Sequence, residues 1–207
     1  MASDCTHFPT SHLLVLTSTV TERSMIAMLS LITITGCGGS VASQLPSYDP
    51  VQAASKAMEL YDRNGDGKLA ADELRECPAL VVGLPRIDRN SDRSITAEEI
   101  QARFEALDNQ SDIKGLDLSV TSQRRPLGGA TVTFTPEPFM GEGLQSYSGV
   151  TSEPGRCELV GSEVDLYGLP VGYYKVHIVH EGQGINAIRG AEIADDAPAG
   201  NRLELAL

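Results

Sequence analysis

This chain is short of positive charge. Its 207 residues hold 16 Lys and Arg against 28 Asp and Glu, a formal net charge of −12. Nucleic-acid binding needs a basic face to neutralise phosphates, so the balance argues against that class of partner. Aromatic residues are also scarce, at 5% with no tryptophan, so an aromatic binding surface would have to use Tyr147, Tyr167, Tyr173 and Tyr174. Tyrosines on strands more commonly pack in a core or along an edge. The four cysteines include no C-x-x-C spacing. His177 and His180 lie three apart on an expected strand and so face opposite sides, which leaves no zinc site. Neither a G-x-S-x-G nucleophile elbow nor a phosphate-cradling glycine loop is present, and the chain is read as non-catalytic.

What is present is a twelve-residue acidic pattern written twice, DRNGDGKLAADE from Asp62 to Glu73 and DRNSDRSITAEE from Asp88 to Glu99. A hard cation such as calcium takes six to eight oxygens, and a loop of this length supplies them from positions 1, 3, 5, 7, 9 and 12. In the first loop those are Asp62, Asn64, Asp66, the Lys68 carbonyl, a water at Ala70 and a bidentate Glu73. In the second they are Asp88, Asn90, Asp92, the Ser94 carbonyl, Thr96 through its hydroxyl or a water, and Glu99. Leu69 and Ile95 hold the apolar eighth position, where paired loops join in a short two-stranded contact. The sixth position must turn with positive φ, which Gly67 accepts and Arg93 resists at about 1–2 kcal/mol. Two calcium sites are therefore expected, the second weaker, with affinities of about 10⁻⁶ to 10⁻³ M.

The flanks suit such loops. Asp49 followed by Pro50 reads as a helix start, and Val51, Ala54, Met58 and Tyr61 share one helical face. Thr96 and Glu99 have the spacing of a capping box, ahead of the stripe Ile100, Phe104 and Leu107. Pro78 and Pro85 bracket the run from Ala79 to Leu84, which predicts short middle helices with Leu80, Val81, Val82 and Leu84 filling a small core. Residues 48–108 thus form a paired calcium module small enough for bound metal to supply much of its stability.

Ahead of it, Met25 to Gly36 is an apolar run of signal-peptide length, too short for a stable bilayer-crossing helix. It ends in Ile34, Thr35, Gly36 and Cys37, which resembles the lipobox of bacterial lipoproteins. That resemblance implies acylation of Cys37 and export to the cell envelope, with the membrane as a partner through the N-terminal lipid. Residues 1–36 are then leader and signal, with translation starting near Val20 or Met25, and 37–47 a flexible tether. Cys77 and Cys157 remain as a candidate disulfide pair or as two free thiols.

After a polar joint at 109–115 the periodicity changes to alternation. Leu116, Leu118 and Val120, then Val132 and Phe134, Val164 and Leu166, Tyr174, Val176 and Ile178, and Leu203, Leu205 and Leu207 mark strands of an antiparallel seven-stranded β-sandwich over 116–207. Three landmarks punctuate it: Gly129 with Ala130, Thr151 with Gly155, and Leu169 to Tyr173. Their order resembles carboxypeptidase regulatory-like and transthyretin-like sandwiches, prealbumin-like or Ig-like in form. The whole resembles small bacterial lipoproteins that join an EF-hand pair to such a domain. GQGINAIRGAEIADD matches the last loop of that family only loosely. The resemblance implies an α+β protein of two domains, non-catalytic, with a structural, adhesion or protein-interaction role. A calcium-responsive switch recruiting a partner, or a module for a small ligand or carbohydrate, is the alternative.

Overall fold

The computed structural model describes residues 49–110, 113–142, 144–161, 168–197 and 201–207. Cys37, the leader, signal and tether, and Val164, Leu166 and Tyr167 lie outside them. The architecture is α+β. Four described helices, α1 (Pro50–Tyr61), α2 (Ala71–Leu74), α3 (Pro78–Ile87) and α4 (Ala97–Asp108), alternate with strands β1 (Lys68–Leu69) and β2 (Ile95–Thr96). The rest is sheet: β3 (Ile113–Lys114), β4 (Asp117–Ser122), β5 (Arg125–Pro126), β6 (Thr131–Pro136), β7 (Tyr147–Val150), β8 (Arg156–Cys157), β9 (Val160–Gly161), β10 (Leu169–Pro170), β11 (Gly172–His180), β12 (Ile185–Ile193) and β13 (Arg202–Ala206).

Local chemistry starts the helices where expected. The Asp49 carboxylate accepts the N–H groups of Val51 and Gln52, with Pro50 at the first helical position of α1. At α4 the Thr96 hydroxyl accepts the Glu99 N–H while the Glu99 carboxylate accepts the Thr96 N–H, a closed capping box. The apolar faces differ in detail. Val51 is exposed, while Ala54, Met58 and Tyr61 of the expected face pack on the core beside Ala53 and Ala57, small residues that let α1 lie close to its neighbours. Pro85 does not end α3, which runs on to Ile87. Val81 and Pro85 lie four apart on the exposed side of this helix, so the carbonyl that loses its amide partner faces water. For the same reason Val81 and Val82 are exposed rather than core, while Leu80 is fully buried.

β11 organises the sheets. A five-stranded antiparallel sheet runs β12-β11-β6-β7-β9, and β4 centres a second sheet with β13 along one edge and β5 and β8 along the other. The landmark residues are joined here: Thr151 accepts the Ala130 N–H through its hydroxyl and exchanges backbone hydrogen bonds with Gly129 and Ala130. Three expectations fail. β13 runs parallel to β4, with Leu205 opposite Val120, so the strands are not wholly antiparallel, and the described residues from 116 to 207 form ten strands, several of only two residues, rather than seven. Alternation fixes which face a side chain occupies and reads the same in either strand direction. The segment expected as a last loop contains β12, nine residues paired along the whole of β11. Its period-2 signal is hidden because Ala187, Gly190 and Glu192 occupy positions where a strand more often carries large apolar groups.

Tyr173 and Tyr174 divide the interior. Tyr174 joins Phe134, Val176, Ile178 and Leu118 between the sheets. Tyr173 points the other way, into a cluster with Phe104, Leu107 and Ile87 of the helices and Phe139 and Met140 beyond β6. Phe104, Phe139 and Tyr173 stack with ring centroids 5.7–6.1 Å apart. The helices and one face of the sheet therefore share an apolar cluster, and the described residues belong to a single compact unit. Tyr147, Tyr173 and Tyr174 are all core residues and offer no tyrosine-lined face.

The same junction holds a polar network. Glu192, opposite Tyr173 on β12, has a fully buried side chain. Its Oε1 accepts the Tyr173 hydroxyl at 2.8 Å and Nε of Arg103 at 2.8 Å, and its Oε2 accepts Nε of Arg86 at 2.7 Å and a second Arg86 nitrogen. Arg103 also forks onto Asp196 with bonds of 2.8 and 2.7 Å. Burial opposes the Arg103 charge, but the bonds to Asp196 and Glu192 outweigh it and hold the guanidinium protonated. Cys77 and Cys157, the candidate disulfide pair, are free buried thiols in the two separate clusters. Burial pushes Cys77 up to about 12 and Cys157 up to about 11, as befits inert core thiols.

Candidate metal centre

The two acidic loops lie side by side. β1 and β2 pair antiparallel, with Leu69 opposite Ile95 and Lys68 opposite Thr96, and both eighth-position residues are fully buried. Asp62 caps the C-terminus of α1, Asp88 caps that of α3, and α2 and α4 carry Glu73 and Glu99 in their first turns. Each loop thus begins at a helix C-terminus and closes through a glutamate one turn inside the next helix.

In the first loop, carboxylate oxygens of Asp62, Asp66 and Glu73 lie within 4.8 Å of one another. Backbone amides aim them. Asp62 accepts the N–H groups of Gly65 and Gly67 at 2.8 and 3.0 Å, Asn64 Oδ1 accepts that of Asp66 at 2.8 Å, and Asp66 accepts that of Lys68 at 3.1 Å. Glu73 takes Arg63 and Asn64 on Oε1 and Ala70 on Oε2. Each amide uses one lone-pair direction and leaves another free. Three like charges at this separation repel, so a cation among them lowers the energy of the loop. The donors are all oxygen, two of the three carboxylates are solvent-accessible, and Glu73 is buried. That set fits a hard divalent ion and suits a soft metal poorly.

The second loop repeats most of the pattern, and its two left-handed positions differ in residue type. Asp88 accepts the amides of Asp92 and Arg93, Asn90 that of Asp92, and Asp92 that of Ser94, while Glu99 Oε1 accepts Arg89 and Oε2 accepts Thr96. Asp88, Asp92 and Glu99 do not converge as tightly as the first set. Arg93 has φ 67° where Gly67 has 83°, the left-handed turn that its position demanded. Ser91 is the second difference and was not foreseen: it has φ 63° where the first loop places Gly65 at 71°. Two side chains are thus held where the first loop has glycine, each at about 1–2 kcal/mol. The Gly-to-Ser change at the fourth position was the signal for it.

Ser94 contributes beyond its carbonyl. Its hydroxyl donates to Asp92 Oδ1 at 2.6 Å, and this bond, the Ser94 amide and more weakly Lys68 hold the Asp92 carboxyl below its ordinary range. The Thr96 hydroxyl caps α4 and donates to Glu99 Oε2 at 3.1 Å. Away from the loops, His177 bonds Asn186 and His180 bonds the Gly128 carbonyl on opposite faces of β11. Among the described residues no helix is long and apolar enough to cross a membrane. No protein-family model, curated protein or solved structure matches the chain.

Proposed function

We propose that this protein binds calcium through its paired loops and is an exported lipoprotein whose non-catalytic β-sandwich serves adhesion or protein assembly. On this reading residues 48–108 are an EF-hand pair and 116–207 a carboxypeptidase regulatory-like domain, with Cys37 as the lipid anchor. The observation that carries it is the convergence of Asp62, Asp66 and Glu73, with the same amide-to-carboxylate bonds repeated in the second loop. When bound, calcium neutralises the carboxylates of each loop. The chain's own part is to orient those oxygens through the loop amides and to hold Glu73 and Glu99 by their helix starts. Calcium is then structural, fixing helices whose core is continuous with the sheet.

A calorimetric calcium titration of the full chain tests the reading, with a Glu73→Gln, Glu99→Gln double variant and a magnesium control. Two binding events are expected between about 10⁻⁶ and 10⁻³ M, the second loop about tenfold weaker, and both lost in the double variant. No heat and no thermal shift at millimolar calcium would sink the claim. The anchor has its own test, motivated by the lipobox at Ile34 to Cys37. Palmitate labelling in a bacterial host should mark the wild type and be lost in Cys37→Ser, whereas an unlabelled wild type would remove the lipid from the reading.

A further inference from the structure

Arg86 stands two residues before Asp88, where the second loop begins, and Arg103 stands one helical turn after Glu99, where it closes. Both side chains reach the same buried carboxylate, Glu192 of β12. We propose that Glu192 is a positioning residue for the second calcium loop, fixing the separation of its two flanks so that the ion meets a formed site. This rests on the calcium reading above.

The first loop shows what differs. Its flanks also meet a sheet glutamate: Tyr61, next to Asp62, donates to Glu137 Oε2 at 3.2 Å, and Cys77, four residues after Glu73, lies beside the same carboxylate. That contact is loose. Among the described residues Glu137 Oε1 is buried without a hydrogen-bond partner, and Lys175 Nζ is 3.9 Å from the other oxygen. The first loop, with glycines at its two left-handed positions, needs little external support. The second holds Ser91 and Arg93 in that conformation and has the ionic, fully bonded clamp. A loop whose ends are held in place loses less conformational freedom on binding, which offsets its internal strain.

The clamp predicts an effect confined to one loop. Arg86→Gln removes the entering flank's tie while Glu192 keeps Arg103 and Tyr173. It is placed in the full chain in two backgrounds, Glu73→Gln to isolate the second loop and Glu99→Gln to isolate the first. Calorimetric titration with calcium should show about tenfold weaker binding at the second loop and less than threefold change at the first. Arg86→Lys, which keeps the charge without the fork, should weaken the second loop by about threefold and provides the test should Arg86→Gln not fold. Equal losses at both loops, or no loss at the second in a folded variant, overturn the proposal. If the Glu73→Gln parent binds no calcium while the Glu99→Gln parent does, the clamp fails and the first site stands. If neither binds, both readings fall together.

Discussion

Glu192→Ala is expected to lower the unfolding free energy by about 3–5 kcal/mol, read by urea denaturation with an intact-core control. The carboxylate is fully buried and is the common acceptor for Arg86, Arg103 and Tyr173. Removing it leaves two guanidinium groups at 17% and 6% side-chain exposure with fewer partners. Arg103 keeps Asp196, but Asp196 is half exposed and serves the other side of the fork. Deleting one partner of a buried ionic cluster costs more than the cluster contributes net, because the remaining charge stays desolvated. For a domain whose total stability is about 5–15 kcal/mol, that is a large share. Glu192→Gln, which keeps the shape and one acceptor, should fall between. A loss below about 1 kcal/mol for the alanine variant would mean that the network contributes little and that the aromatic contacts alone join helices to sheet.

Gly190→Val should be comparably damaging by a different route. A Cβ at this position of β12 would overlap the carbonyl of Pro78 and the amide of Ala79, the first turn of α3. The obstacle is backbone, so no rotamer change relieves it and the helix must move away from the strand. Overpacking of this kind costs about 1–3 kcal/mol and sometimes more, and two further methyl groups put this variant at or above the upper end. The displaced helix carries Arg86 and is capped by Asp88, so the second loop should lose calcium affinity along with the stability. Gly115→Ala is the control: nothing lies within 4 Å of its Cβ, and its effect should stay within about 0.5 kcal/mol. Equal midpoints for the two variants would show that α3 does not rest on β12 as described.

The loops were legible because their chemistry is local. Asp49 and Thr96 cap helices only a few positions away, the pairing of Leu69 with Ile95 follows from the same apolar position in each loop, and all appear where the sequence puts them. The strands with strong alternation, around Val120, Phe134 and Val176, were equally readable. What escaped was the junction. β12 carries glycine and glutamate where helices cover it, so its pattern reads as polar loop although Glu192 is buried. A charged residue cannot announce from sequence that its partners lie 89 and 106 positions away. Val81 and Val82 failed in the opposite sense, since hydrophobicity alone does not tell which side of α3 the sheet takes. The direction of β13 was likewise invisible, because alternation carries no polarity.

That parallel strand shapes how the chain folds. β11 and β12 meet across a short connection and can zip as a hairpin, and the two loops form within the helical segment. β13, by contrast, pairs with β4 across 85 positions, from Asp117 to Arg202. Loop closure over that span costs roughly 2 kcal/mol more entropy than closing the hairpin, before any contact compensates. The edge of β4 beside Leu118 and Val120 therefore stays open until late, and closing it is expected to set the pace of folding. In that interval the unpaired strand edge is where a partly folded chain is most exposed to pairing with another copy of itself.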